Sequence, residues 1–163
     1  MANTNTPQVA ASVASPATVS QPKDAKSSPL VCSDTASWTG TTAGDTLMLC
    51  RLPINASIHS IKIQTDDLGG TNQTFDLGFY QTNDDATVID LDALGTAVAV
   101  ASATAVTEYR FETKDHTTIN DRVYTLAGLS TPPEYGEVYL AMTVKVADSP
   151  IAGDVSFYCE YTV

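Results

Sequence analysis

Residues 137–146 read "EVYLAMTVKV", and the apolar side chains of this stretch fall on every second position. Successive side chains of an extended chain point to opposite sides, so this spacing predicts a β-strand with one buried face. The residues of that face are Val138, Leu140, Met142, Val144 and Val146. An α-helix would place its apolar residues three or four positions apart, and the stretch therefore indicates a β-sheet protein.

Similar alternation recurs along most of the chain that precedes and follows this stretch. The other predicted strands are "TLMLCRL" (46–52), "SIHSIKIQT" (57–65), "TFDLGFY" (74–80), "TEYRFET" (107–113) and "VSFYCEYTV" (155–163). Turn-forming residues cluster at 52–56, 66–73, 82–86, 113–117, 130–136 and 147–153. Short strands with a turn about every ten residues predict an antiparallel β-sandwich or jelly roll.

Two segments do not follow the alternation. The segment "ALGTAVAVASATAV" (93–106) suits either a pair of strands or a weak helix, because its alanines favour a helix and its valines a strand. The segment "NDRVYTLAGL" (120–129) predicts one short helix, since a capping residue precedes apolar positions at helical spacing. The predicted fold is an all-β, jelly-roll-like sandwich over residues 31–163 with one short helix.

The first thirty residues have a different composition from the rest of the chain. They consist mainly of Ala, Ser, Thr, Pro, Val and Asn, contain no aromatic residue and carry prolines at 7, 16, 22 and 29. Such a sequence cannot bury a core and its prolines interrupt helices, so residues 1–30 are predicted to form an extended, flexible N-terminal arm. The arm has no basic cluster followed by a long apolar run, and we therefore expect no secretion signal and no membrane partner.

Charge argues against a nucleic-acid partner. The chain has a net charge of −11, and since Lys23, Lys26 and Asp24 give residues 1–30 a charge of +1, residues 31–163 carry −12. Binding to DNA or RNA depends on neutralising phosphates with Lys and Arg, so a body this acidic is predicted to repel nucleic acid. Solubility explains the charge most simply, and a basic protein partner or bound cations are the alternatives.

Sequence motifs for catalysis and cofactor binding are lacking. The chain has two histidines, no GxSxG elbow and no glycine-rich phosphate loop, so we expect no enzyme activity, no catalytic residues and no cofactor. The acidic turns at 66–67 and 84–85 offer oxygen ligands for calcium, but they flank one strand and are predicted to lie at its opposite ends. No metal site is therefore predicted. Three cysteines without a CxxC pair suggest no disulfide framework, and Cys159 is predicted to be a small core residue.

Two tyrosines lie on the side of their strands opposite the apolar stripe, Tyr139 and Tyr158. Exposed tyrosine on a flat sheet suits protein contact or sugar stacking. Contact is the better interpretation, because sugar platforms usually contain tryptophan and the one tryptophan, Trp38, precedes the predicted strands. We therefore predict that Tyr139 and Tyr158 mark a self-association face.

A family resemblance adds to this interpretation. Residues 50–81 contain an Arg-Leu-Pro start, an alternating strand, an acidic turn with glycines and the strand start "TFDLG". Residues 122–163 contain a short "LAGL" helix, a long strand, a turn with Ala, Pro and Gly, and a final strand. In both stretches the sequence resembles small capsid decoration, or cement, proteins of tailed bacteriophages. Residues 86–106 are longer than the tight connection expected of that family, and the N-terminal arm is an addition to it.

The resemblance implies a non-enzymatic virion protein that binds the outer surface of an icosahedral head and clamps neighbouring major capsid subunits, often as a trimer. It would be made in the host cytoplasm and assembled onto the capsid. In that role the arm is expected to contact the capsid, because a long extended segment that orders on binding adds avidity. The arm residues predicted to make this contact are Pro7, Val9, Val13, Pro16, Val19, Pro22, Lys23, Lys26 and Pro29.

A second class of function fits the same pattern. A carbohydrate-binding or adhesin-like β-sandwich of a virion or cell surface would also be acidic and non-catalytic, with calcium held by the Asp-rich turns. Chelator sensitivity of the melting temperature separates the two classes, because a calcium module loses stability without its ion.

Overall fold

The computed structural model describes residues 3–5, 29–40, 42–68, 72–99, 106–109, 118, 120–147 and 151–163. Within them the chain forms nine strands and one α-helix. The elements are β1 Asn3–Asn5, β2 Leu30–Gly40, β3 Thr46–Pro53, β4 Ser57–Thr65, β5 Thr74–Gln81, β6 Val88–Ala99, β7 Thr107–Glu108, α1 Val123–Leu126, β8 Glu137–Val146 and β9 Ile151–Thr162. No helix of this part of the chain combines the length and apolar character needed to cross a membrane.

The strands form two sheets whose order identifies a jelly roll. One sheet has the order β1-β3-β8-β5-β6 and the other the order β2-β9-β4-β7. If β2 to β9 are counted as eight consecutive strands, the sheets read 2-7-4-5 and 1-8-3-6, the double Greek key of a jelly roll. All pairs among these eight strands are antiparallel. The prediction of an all-β sandwich with one short helix is confirmed.

The alternating segments became strands close to where the sequence placed them. The predicted strands at 46–52, 57–65, 74–80 and 137–146 correspond to β3, β4, β5 and β8, with at most one residue added at an end. β9 begins earlier than predicted, at Ile151, inside a segment assigned to a turn. Only the first two residues of the predicted strand 107–113 form β7, and residues 110–113 lie outside the described part. The first half of the ambiguous segment 93–106 belongs to strand β6.

Strand β2 was not predicted, although it pairs with β9 along its whole length. Its core-facing side chains include Ala36 and Trp38, which are 6% and 1% exposed. The opposite face carries Ser33, Thr35 and Ser37, which are exposed. Serine and threonine replace the charged residues that usually mark the outer face, so the alternation is harder to recognise in the sequence.

The core fills the space between the two sheets and includes Trp38, Leu47, Ile61, Phe79 and Phe157. Cys159 is fully buried in it, as predicted. The burial of large aromatic and branched side chains from both sheets is the main source of stability for a sandwich of this size.

Both faces of β5 are buried, and so are both faces of β8 from Val138 to Val144, where the sequence predicted one buried face. Val146, predicted on the buried face of β8, is 43% exposed, so that part of the prediction is wrong. On the outer face of β5, Asp76 and Tyr80 are only 3% and 2% exposed. The cause is an irregularity in β6, where Gly95 pairs with Leu77 but Asp90 already pairs with Phe79. Residues 91–94, which we call the β6 insertion, therefore stand where a regular ladder has a single residue opposite Gly78. The inserted backbone crosses over β5 and covers the face that the sequence pattern assigned to solvent.

Candidate interaction surfaces

The outer face of the β2-β9-β4-β7 sheet carries an open groove of about 300 Å³ around Tyr158. Its lining residues are Lys62, Gln64, Val106, Ser156, Phe157 and Tyr158, and we refer to this region as the Tyr158 surface. Val106 is 61% exposed at its edge. An exposed valine and a half-buried tyrosine on an otherwise polar sheet provide apolar area for a partner.

Charged neighbours fix the orientation of the Tyr158 ring. The Tyr158 hydroxyl donates a hydrogen bond of 3.1 Å to Oε2 of Glu160. The Lys62 ammonium nitrogen lies 5.6 Å from the ring centroid, within the range of a cation–π contact. The hydrogen bond to the Glu160 carboxylate raises the pKa of the Tyr158 phenol above its ordinary value, because it stabilises the protonated form. The ring is thus a neutral, pre-oriented contact group.

Tyr139 lies on the other sheet and is not exposed. It is 5% exposed and packs with Met48, Tyr80 and Ala141 in a second apolar cluster on the outer face of the β1-β3-β8-β5-β6 sheet. The expectation of an exposed Tyr139 is wrong, because Ala86 and Leu91 from the segment around β6 pack against this cluster. Its part in self-association stays a prediction.

Arg51 holds the Tyr139 side chain from the neighbouring strand. Nη2 of Arg51 donates a hydrogen bond of 2.9 Å to the Tyr139 hydroxyl. The guanidinium carbon lies 5.1 Å from the Tyr139 ring centroid, and Nη1 is 3.7 Å from Oε2 of Glu137. A cation–π contact and a directed hydrogen bond from the same guanidinium give Tyr139 a structural role within one copy.

Polar side chains on this covered face form a network that the sequence did not indicate. The Thr143 hydroxyl lies 2.5 Å from the Tyr80 hydroxyl and 3.2 Å from the Thr46 hydroxyl. Burial of three hydroxyl groups requires such mutual hydrogen bonds, because an unpaired buried hydroxyl destabilises the fold. The alternation placed these residues on the second face of their strands, and only the crossing of β6 shows that this face is buried.

An ion pair anchors β6 next to the insertion. Nζ of Lys145 lies 3.2 Å from Oδ1 of Asp76 and donates a 2.8 Å hydrogen bond to the Thr96 hydroxyl. The same Asp76 oxygen accepts a 2.8 Å hydrogen bond from the backbone N–H of Ala97, which has a positive φ of 53°. Asp76 therefore joins β5, β6 and β8 at one point.

The predicted capsid-contact residues of the arm fall largely outside the described structure. Pro7, Val9, Val13, Pro16, Val19, Pro22, Lys23 and Lys26 all lie there, and Pro29 is described and exposed. The arm does contain one described element, because β1 pairs in parallel with β3. The sequence analysis did not predict this pairing, which is made by main-chain groups of a polar Asn-Thr-Asn segment.

Acidic and histidine side chains do not converge on a site in the described residues. No group of three or more His, Cys, Asp or Glu there is arranged to hold a metal ion. Asp66 and Asp67 precede β5, Asp84 and Asp85 follow it, and all four are exposed. His59 is exposed, and its Nε2 lies 3.0 Å from the Thr162 hydroxyl.

The three cysteines meet in the core as buried thiols. Cys32 of β2 stands opposite Cys159 of β9 in the strand register. Cys50 comes from the other sheet, and hydrogen bonds with Cys159 and Cys32, together with burial, raise the pKa of its thiol well above the ordinary value. A raised pKa makes the Cys50 thiol a weak nucleophile, and the three buried side chains act as core packing.

Comparison with known proteins identifies the fold. No protein-family model matches the sequence, and no curated protein matches it. A chain in the solved structure titled "Capsid of Ralstonia phage GP4" superposes with a TM-score of 0.60 at 19% identity, over 85% of this chain and 86% of that one. A chain in "Cyanophage Pam1 capsid asymmetric unit" gives a TM-score of 0.49 at 18% identity, over 82% and 83% of the two chains. The likeness to the GP4 capsid chain shows a shared fold over nearly the whole length of both chains.

Proposed function

We propose that the chain is a structural virion protein, a decoration or cement protein that binds the outer surface of a tailed-phage head and stabilises contacts between major capsid subunits. The observation that carries the proposal is the fold shared with a chain of the Ralstonia phage GP4 capsid structure, at a TM-score of 0.60 over 85% of this chain. Jelly rolls serve several functions, so the fold alone does not decide between them. The resemblance of residues 50–81 and 122–163 to phage decoration proteins is the second support.

The arrangement of the described residues suits a role in binding without catalysis. Its polar clusters, such as the Thr46–Tyr80–Thr143 hydroxyls, are buried and satisfy each other. Its three cysteines are buried as core packing. These features support a protein that acts through contacts of its surface.

Attachment to the capsid is assigned to the N-terminal arm. Lys23 and Lys26 give the arm a positive charge beside a body with a charge of −12, so arm and body differ in the surfaces they attract. The arm is covalently linked to the body. When both bind the capsid, the first contact raises the effective concentration of the second, and this produces avidity. The body then lies on the outside of the shell and the arm reaches the subunit boundary.

Association of copies, with a trimer favoured, is assigned to the Tyr158 surface. Tyr158 is the predicted contact residue that remains accessible, and its ring is held by Lys62 and Glu160. Because the Tyr158 ring is already oriented in the unbound protein, it loses little side-chain entropy when a partner binds, and such a loss opposes binding.

Sedimentation with purified heads that lack this protein tests the proposal. Full-length protein added from outside should sediment with the heads, and a variant without residues 1–29 should remain folded but attach much more weakly. The deletion ends at Pro29 because β2 begins at Leu30. A control that lacks only residues 1–5 keeps every predicted capsid-contact residue and should still attach. Failure of the full-length protein to bind heads would overturn the proposed function.

A carbohydrate-binding module remains the second candidate, because jelly rolls also occur in lectins and Tyr158 borders an open groove. A calcium-assisted module should lose several degrees of melting temperature in a chelator, and a decoration protein should lose little. Glycan-array binding that disappears in Tyr158→Ala would favour this candidate over the capsid role.

A further inference from the structure

We propose that β1 and the side of β3 that faces away from β8 form an exchange contact between copies, in which residues 3–5 of one copy add a strand to β3 of another copy. The partner is a second copy of this chain. The contact does not involve the capsid, so it stands or fails independently of the proposed attachment to heads.

The acceptor is the edge of the larger sheet. β3 pairs with β8 on one side, and β1 pairs with its other side in the register Asn3 with Thr46, Thr4 with Leu47 and Asn5 with Met48. An edge strand presents N–H and C=O groups that pair with any extended segment. The β3 sequence "TLMLCRLP" is largely apolar, so an uncovered edge here would favour non-specific strand pairing.

The donor is short, and the sequence explains why. Pro7 follows β1 by two residues, and proline lacks the N–H that would continue the ladder. Main-chain pairing with β3 holds this strand. Three residues form a contact weak enough to open and re-form on another copy.

The segment that connects β1 to β2 is much longer than is needed for β1 to pair with β3 of the same chain. Met48, opposite Asn5, lies five residues before the end of β3 at Pro53, a distance of about 17 Å along a strand. β4 begins at Ser57, just after β3 ends, and Ser57 pairs with Thr162 of β9. Leu30 pairs with the neighbouring residue Tyr161, so β2 starts at the same end of the sandwich.

With about 10 Å between sheets, Asn5 and Leu30 are separated by roughly 20–25 Å, which about seven extended residues would span. Positions 6–29 lie between them, and a segment of that length reaches up to about 80 Å. Because the connection is about three times longer than needed, its length does not restrict β1 to pairing with β3 of the same copy. When a second copy lies alongside, its β3 edge falls within the same reach, and exchange keeps every hydrogen bond while it joins the two copies.

Two variants, each with one cysteine added to the three buried native ones, test the exchange directly when they are on separate copies. Copies carrying Asn5→Cys are unfolded, mixed with equimolar copies carrying Met48→Cys, refolded together and oxidised with diamide. A disulfide between positions 5 and 48 then requires strand exchange, because no copy carries both substitutions. We expect a reducible heterodimer whose cross-linked peptide joins these two positions in mass spectrometry.

Controls keep the test decisive. The double variant Asn5→Cys/Met48→Cys establishes that the pair can bond, and Asn3→Cys with Thr46→Cys is the second pair in case Met48→Cys destabilises the fold. Replacing Met48→Cys with Val31→Cys, an exposed position on the other sheet, gives the background of random cross-linking. If the double variants close only within single chains and the mixed pairs do not exceed the Val31→Cys background, the exchange proposal is wrong.

Discussion

Gly78 of β5 lies directly beneath the backbone of Asp90 in β6, so that a Cβ at position 78 would stand 2.1 Å from the Asp90 carbonyl oxygen. The Leu91 carbonyl oxygen would be 2.3 Å from the same Cβ. No side chain fits there, and the absence of one lets the β6 insertion cross over the central strands. This close approach buries the second face of β5 and β8, and Tyr158 on the other sheet is the more accessible of the two tyrosines predicted to make contacts.

Gly78→Ala should therefore destabilise the protein severely. The added methyl group meets backbone rather than a movable side chain, so β6 must separate from β5, at a cost of about 3 kcal/mol or more in the free energy of unfolding. Gly136→Ala is the matched control, because its Cβ meets nothing within 4 Å and only its positive φ of 71° opposes the substitution. That control should lose about 1 kcal/mol. Equal losses in urea denaturation would contradict the crossing of β6 over Gly78.

The ion pair beneath β6 should matter more than an exposed lysine elsewhere. Lys145→Met keeps the aliphatic stem but leaves the Asp76 carboxylate, whose side chain is 4% exposed, without its cation. Since the Lys145 side chain is itself 40% exposed and screened, we expect a loss of about 1–2 kcal/mol in the free energy of unfolding. The control Lys62→Met, at an exposed position, should change it by less than about 0.5 kcal/mol. Similar losses in the free energy of unfolding for Lys145→Met and Lys62→Met would contradict the role of Asp76 in holding β6.

Tyr139 and Tyr158 should respond differently to truncation. Tyr139→Ala opens a cavity and removes the hydroxyl that accepts from Arg51, so it should cost about 3–5 kcal/mol of folding stability. Tyr158→Ala should cost less than about 1 kcal/mol while it weakens association between copies, measured by analytical ultracentrifugation. If Tyr158→Ala leaves association unchanged, the Tyr158 surface is not the self-association face.

Alkaline pH should destabilise the protein through Tyr161. Burial raises the pKa of Tyr161 to about 12, from an ordinary value of 10.0. Between these values the unfolded chain releases the phenol proton while the folded chain retains it, so stability is complete below pH 10 and falls as pH rises through this window. Tyr161→Phe should flatten that decline in denaturation curves measured across the window. An unchanged slope in this variant would assign the alkaline loss to other groups.

The sequence predicted those features that depend on one strand at a time. The period of two in "EVYLAMTVKV" and "SIHSIKIQT" located β8 and β4 because one face of each packs on the core. It did not reveal β2, whose outer face carries serine and threonine and whose inner face is interrupted by Asp34. The alternation of apolar and polar residues shows which face of a strand a residue lies on. It does not show whether another segment of the chain covers that face.

The candidate surfaces depend on such crossings and were therefore only partly predictable. Tyr139 and Tyr158 occupy equivalent positions in their local patterns, and the β6 insertion buries one and leaves the other accessible. The pairing of β1 with β3 uses main-chain groups, which every residue except proline carries in full, so its side chains give no signal. Arm residues such as Lys23 and Lys26 lie outside the described structure, and their contact with the capsid is still a prediction from the sequence.

Quantitative mass spectrometry of phage particles purified from the source of this chain tests the central claim most directly. A decoration protein occupies equivalent positions on the capsid lattice, so the account predicts a simple, stoichiometric ratio between this chain and the major shell protein. A few copies per particle would instead place it at a tail, fibre or vertex. Complete absence from purified particles would contradict the virion role.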